Sequence, residues 1–332
     1  MKKCLRGGLY LALLSIFLLL VLEFVYRHQW IDTYRRELTY LNPDSEAETG
    51  RPNLLVMGDS YTAARHGWVQ SLREAFPEHR IINSAVPGTG AVQAGYMAGN
   101  RFSDFPPRTF IYQIYVGNDL FDYRLPVNWS ELGFARNIYY SFANHLRSLS
   151  WLNYSLAQFG TADDAEVYTD ARLAEDRFDP ARYNGREKLY LKAEPGLIEN
   201  SALLRGDRAD DMPGYLAHLD ALMAHCNGDC QAWIVILPHC AQVHTTYRER
   251  MQTLGATISD PTAFRARAYP FVQAIRDHFQ QNRPEIRILN ALPAFQKAEA
   301  KGIQLYYEND PHLNQRGQAI LGELVVRALK VE

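Results

Sequence analysis

The chain lacks several features that would otherwise fix its class. Four cysteines in 332 residues are too few for a disulfide-built scaffold, and 47% hydrophobic composition is ample for a packed core instead. Neither charge sign is in excess: 35 Lys and Arg stand against 37 Asp and Glu, a formal net charge of −2. That removes any general electrostatic reason to expect nucleic acid or an anionic membrane surface as a partner. No internal repeat and no low-complexity tract is visible, and the Cys and His residues between 225 and 244 fit no standard zinc spacing. No cofactor is expected.

Long apolar runs are also scarce, with one exception. Residues 7–26 are apolar apart from Glu23, about 20 residues and so about 30 Å as a helix, enough to cross a bilayer. A cleaved leader would want small residues at its cleavage site, and Leu22-Glu23-Phe24-Val25-Tyr26-Arg27 offers none. The expectation is therefore a retained signal anchor. Flanking charge does not orient it, because Lys2, Lys3 and Arg6 are balanced by Arg27, Arg35 and Arg36. Residues 1–26 read as a cytoplasmic tip and anchor, 27–50 as a polar stalk ending in Asn42-Pro43-Asp44-Ser45-Glu46, and 51–332 as the globular domain.

Within that domain five short apolar or aromatic runs read as strands: Asn53–Met57, Arg80–Asn83, 109–115, Gln231–Leu237 and 285–289. The segments between them hold helical patterns at 68–76, 212–225 and 263–280, and this alternation predicts a three-layer α/β sandwich around a parallel sheet. At the end of the first strand stands Gly58-Asp59-Ser60-Tyr61-Thr62, a serine on a glycine-led turn, where open α/β sheets place their chemistry. Gly88 in Pro87-Gly88-Thr89-Gly90 and Asn118 in Val116-Gly117-Asn118-Asp119 each follow another strand-like run. Asp310-Pro311-His312-Leu313-Asn314 lies near the C-terminus. Taken alone, each has a duller explanation: a turn glycine, a capping asparagine, a surface histidine. Their order and spacing carry the argument.

Those four blocks resemble the SGNH (GDSL-type) hydrolase superfamily over roughly residues 50–330, with Ser60, Gly88, Asn118 and His312 at the positions of its name. The resemblance implies a five-stranded parallel sheet in the order 2-1-3-4-5. It also implies a serine hydrolase in which Ser60 is the nucleophile, His312 its base and Asp310 the acid orienting that base. Backbone amides of Ser60 and Gly88 and the side-chain amide of Asn118 would form the oxyanion hole. One departure is that the family's usual acid position, three residues before the histidine, holds Asn309, while Asp310 stands two before. The Asp-x-His form, preceded by Leu305-Tyr306-Tyr307, is more similar to an envelope branch containing alginate O-acetyltransferase-type proteins. Asp59 reads as structural.

Residues of about 120–230 exceed what one crossover needs and read as a helical insertion. They hold Trp129, Tyr139, Tyr140, Phe142, Trp151, Tyr154, Phe159 and Tyr183, then the acidic Asp163-Asp164-Ala165-Glu166. These aromatics either lid the substrate or bury one another in a small subdomain. Cys226 and Cys230 would close a short disulfide loop in a chain outside the cytoplasm; free buried thiols and a metal site are the alternatives.

The function expected is a single-pass inner-membrane serine esterase or O-acyltransferase with its catalytic domain outside the cytoplasm. Its substrate would be an acylated glycan of the cell envelope, in company with polysaccharide synthesis or acetylation machinery. A lysophospholipase or thioesterase is the second reading, and a non-catalytic glycan-binding assembly factor the third.

Overall fold

The computed structural model describes residues 2–43, 50–126, 128, 132–158, 177–265 and 268–331. Trp129, Phe159, the acidic run 163–166 and residues 44–49 of the expected stalk lie outside the described residues.

Five parallel strands form one sheet: β1 (Asn53–Met57), β2 (Arg80–Asn83), β3 (Pro107–Tyr115), β4 (Gln231–Leu237) and β5 (Arg287–Asn290), in the order β2-β1-β3-β4-β5. This is the fold and strand order expected. The inner strands are nearly continuous runs of buried apolar residues, as a sheet covered on both faces requires. β5 starts later than anticipated because residues 284 and 285 turn, and its pairing with β4 begins only at Trp233 opposite Arg287.

The helices used below are α1 (Lys2–Arg27), α2 (Arg35–Leu41), α3 (Trp68–Ala75), α4 (Ala91–Asp104), α5 (Phe134–Ala143), α6 (Ser148–Gln158), α7 (Gly185–Ala193), α8 (Asp207–Met223), α9 (Pro270–Asn282) and α10 (Gln315–Lys330). Strand order reverses direction after β2, so right-handed crossovers put α3 and α4 on opposite faces. α3 packs against α10 and α4 against α8. The reversal opens a crevice at the carboxyl ends of β1 and β3, which is where Ser60 and Asn118 lie.

The described part of the insertion is largely helical, and its aromatics divide. Tyr183 is buried and Trp151 stacks on Tyr26, whereas Tyr139, Tyr140 and Tyr154 face a cavity. Cys226 and Cys230 are joined by a disulfide, Cys240 is a buried free thiol, and among the described residues no group of three His, Cys, Asp or Glu is placed to hold a metal.

Residues 6–27 of α1 are apolar and long enough to cross a membrane, with little of the segment buried. The expectation of a stalk needs correction. Residues 27–43 pack on the domain through polar contacts: Arg101 holds Asp32 with two hydrogen bonds of 2.8 and 2.7 Å. Asn42 exchanges two bonds of 2.8 Å with the backbone of Asn83, at the end of β2. Polar side chains that look solvated in the sequence are here used to tie the segment down.

Candidate active site

The turn after β1 is built by its neighbours. Gly58 passes so close to β3 that a Cβ there would lie 2.6 Å from Gln113 Oε1, which is why the position is glycine. That same oxygen accepts from the Asp59 amide at 3.2 Å and from the Thr62 hydroxyl at 2.9 Å. Asp59 closes the turn by accepting from the Tyr61 amide at 2.9 Å. Ser60 is left half-exposed at the tip. Burial raises the Asp59 carboxyl to about 7 despite the Tyr61 hydrogen bond, and the residue sits under the turn as a support.

His312 comes from the loop before α10, and its Nε2 lies 2.8 Å from Ser60 Oγ. Its Nδ1 meets Asp310 Oδ1, and the same oxygen accepts from the His312 amide at 2.9 Å. The imidazole plane is held by Tyr61, which stacks on it with centroids 4.6 Å apart while its hydroxyl donates to the Pro311 carbonyl at 2.8 Å. Asp310 is buried, and burial alone would raise its pKa. The His312 contact and the amide donated by Asn184 outweigh that and hold the carboxyl below its ordinary range, so it stays charged. Asn309, the position where the acid is more usual, turns the other way: its side chain accepts from the Asp179 amide at 2.6 Å and donates to the Arg177 carbonyl at 2.9 Å.

Gly88 and Asn118 reach the same place. Both line a cavity of about 60 Å³ with Ser60 and His312. Gly88 has φ +71°, a left-handed conformation that favours glycine, and a Cβ there would also crowd the Arg186 guanidinium at 3.1 Å. Asn118 is presented by a loop pinned from below, where Asp119 accepts from the Tyr115 amide at 2.6 Å and the Tyr215 hydroxyl at 3.0 Å.

Besides Tyr61 and Tyr115, four residues from one stretch of the insertion escaped the sequence reading. Asn184 caps α7 by accepting from the amides of Arg186 and Glu187, and its Nδ2 donates to Asp310 Oδ2 at 2.6 Å. Arg186, Glu187 and Tyr190 of α7 complete the cavity wall. An asparagine before a helical run is a legible cap, but nothing local ties it to an acid 126 residues away.

Beyond Gly88 and Arg186 a second cavity of about 380 Å³ opens, lined by Tyr139, Tyr140, Tyr154, Ser150 and Asn153. Gly88, Arg186 and Tyr190 line both spaces. The arrangement can activate a serine oxygen and offers an adjoining tyrosine-walled space of mixed polar and apolar lining for the rest of a ligand.

No protein-family profile matches the chain, and no curated protein does. Solved structures do resemble it at a distance. One is an alpha/beta hydrolase enzyme from the metagenome of Lake Arreo, Spain, at 14% identity and TM-score 0.39, covering 84% of this chain and 95% of that one. Another is a catalytic mutant of an acetylxylan esterase from Geobacillus stearothermophilus, at 14% identity and TM-score 0.41, covering 86% of this chain and 97% of that one. Likenesses so distant assign no reaction, and the functional reading rests on the chain's own geometry.

Proposed function

We propose that this chain is a membrane-anchored, extracytoplasmic serine esterase or O-acyltransferase of SGNH type, working through an acyl-enzyme on Ser60. Its substrate is an acetylated glycan of the cell envelope. The observation that carries the reading is the 2.8 Å approach of His312 Nε2 to Ser60 Oγ, with Asp310 behind the imidazole.

In that reading His312 takes the Ser60 proton as Oγ attacks the ester carbonyl. Negative charge developing on the carbonyl oxygen is met by the amides of Ser60 and Gly88 and by the Asn118 side chain. His312 then gives the proton to the departing alkoxide, leaving Ser60 acylated. Water or a sugar hydroxyl, deprotonated by the same imidazole, attacks next; the first outcome is hydrolysis and the second is transfer. Asp310 stays ionised throughout, fixing the tautomer and stabilising the imidazolium.

The small space at Ser60 and the tyrosine-walled cavity beside it favour a short acyl group on a polar scaffold over a long alkyl chain. Retention of α1 is favoured because Glu23, Tyr26 and Arg27, at its end, are bonded into the domain and would be lost with it. A lysophospholipase would want an apolar tunnel. A non-catalytic glycan-binding factor would have no use for an activated serine. Fluorophosphonate labelling tests the central claim: one equivalent should attach to Ser60, and folded protein that takes none, or takes it elsewhere, removes the serine mechanism.

A further inference from the structure

The end of α1 is built into the domain rather than standing off from it. Glu23 is buried, with its carboxylate accepting from the Ser148 amide at the start of α6 at 2.8 Å and pairing with Arg27 at 2.5 Å. Arg27 donates onward to the His145 carbonyl at 2.7 Å. Tyr26 is buried against Trp151 and hydrogen-bonds the Tyr34 hydroxyl at 2.8 Å. These bonds fix the direction in which the helix leaves.

They also shorten the free helix. The apolar segment clear of the domain is residues 7–22, about 16 residues and roughly 24 Å at 1.5 Å per residue, against a hydrocarbon core of about 30 Å. A span that short is completed when the domain comes down into the interfacial layer.

What the domain presents there is apolar and aromatic. Trp30 and Ile31 are 69% and 67% exposed. The Trp30 amide donates back to the Val25 carbonyl at 3.3 Å, and its ring meets Phe24 edge-on at 5.0 Å, so it lies against the last turn of α1. Phe24 and Phe142 are exposed as well, and Phe142 sits one turn before the His145 carbonyl that receives Arg27. Tryptophan in particular settles where one end of a ring is apolar and the other wet.

We infer that Phe24, Trp30, Ile31 and Phe142 form a membrane-seating collar, immersed in the interfacial layer of the bilayer that α1 crosses. The collar holds the domain, and Ser60 with it, at a fixed height and orientation. This inference rests on the reading of α1 as an anchor. α6 links the two ends of the argument: its first residue receives Glu23, and Ser150, Asn153, Tyr154 and Ala157 line the cavity beside the catalytic loop. The site is therefore set to work on material presented close to the membrane surface, not on polymer far from it.

The test uses the full chain in liposomes whose lipids carry bromine either high in the acyl chain or near its end. Shallow bromines should quench tryptophan emission, deep ones much less, and Trp30→Phe should remove most of the quenchable component. A quenched component equal in Trp30→Phe and the parent overturns the collar. Alkaline extraction separates the two readings. A chain that stays in the bilayer but shows no Trp30 quenching has an anchor without a collar, whereas a chain that is released has neither.

Discussion

Asn184 Nδ2 lies 2.6 Å from Asp310 Oδ2, so the insertion holds the very carboxylate whose other oxygen faces His312. The same asparagine caps α7, which carries Arg186, Glu187 and Tyr190 into the site. One side chain therefore couples helix start, acid orientation and cavity wall.

That coupling can be separated by choice of substituent. Asn184→Ala should lower kcat for a simple acetyl ester by about 10- to 100-fold, since a hydrogen bond to a charged acceptor contributes roughly 1.5–3 kcal/mol and about 1.4 kcal/mol is tenfold. It should also lose about 1 kcal/mol of stability with the cap. Asn184→Ser restores a capping oxygen but is too short to span to Asp310, so its stability should recover while kcat stays low. Urea unfolding beside steady-state kinetics reads both. A full recovery of kcat in the serine variant would reduce Asn184 to a cap.

The choice of acid is tested by neighbours in sequence. Ser60→Ala and His312→Ala should abolish p-nitrophenyl acetate hydrolysis without unfolding the protein, and Asp310→Asn should cost about 10⁴-fold in kcat by favouring the wrong tautomer. Asn309→Ala should leave kcat within a few-fold, since its bonds run to Arg177 and Asp179. The opposite ranking of Asp310 and Asn309 would show that the imidazole is oriented differently in the working protein. Circular dichroism of each variant guards against trivial loss of fold.

What could be read in the sequence was what is local. β1, β2 and β4 are consecutive apolar runs beside turn residues, and the triad candidates follow strands or precede a helix in a fixed order. What could not be read depends on polar side chains whose partners are remote in the chain. Asp32 and Asn42 look like solvated stalk until Arg101 and Asn83 are placed against them. Arg186 belongs to an insertion with no strand to announce it, yet its guanidinium packs against Gly88. Even Glu23, which interrupts the apolar run, has its reason in the Ser148 amide far along the chain.

Asp59 supplies a prediction about pH. Burial raises its folded-state pKa to about 7, above the value of about 3.9 expected in the unfolded chain. The folded state then binds more protons than the unfolded one between those values, so this group's contribution to stability falls as pH rises from about 4 to about 7. Asp310, held below its ordinary range, acts with the opposite sign and loses its contribution only as pH drops through its folded pKa. Asp59→Asn keeps an oxygen for the Tyr61 amide and removes the titration. Its Tm should be flatter than the parent's between pH 4 and 7, as measured by thermal unfolding across a buffer series. An unchanged slope would mean that Asp59 is ionised in the fold.

The last prediction separates a glycan from a lipid substrate. Each added methylene gains about 0.8 kcal/mol only where an apolar surface buries it. The space at Ser60 is about 60 Å³, and the larger cavity beyond Gly88 is walled by tyrosines, Leu125, Leu189, Ser150, Asn153 and Arg186. Turnover of p-nitrophenyl esters should therefore fall steeply beyond about four carbons, because a longer chain outgrows the small space at Ser60. Acetylated oligosaccharides should be deacetylated, or should accept acetyl from a donor ester. Asn153→Ala should weaken the oligosaccharide reaction several-fold through KM while leaving p-nitrophenyl acetate nearly unchanged, since Asn153 lines the second cavity and not the space at Ser60. A rate that climbs with chain length, together with no action on any acetylated glycan, would hand the site to the lysophospholipase reading.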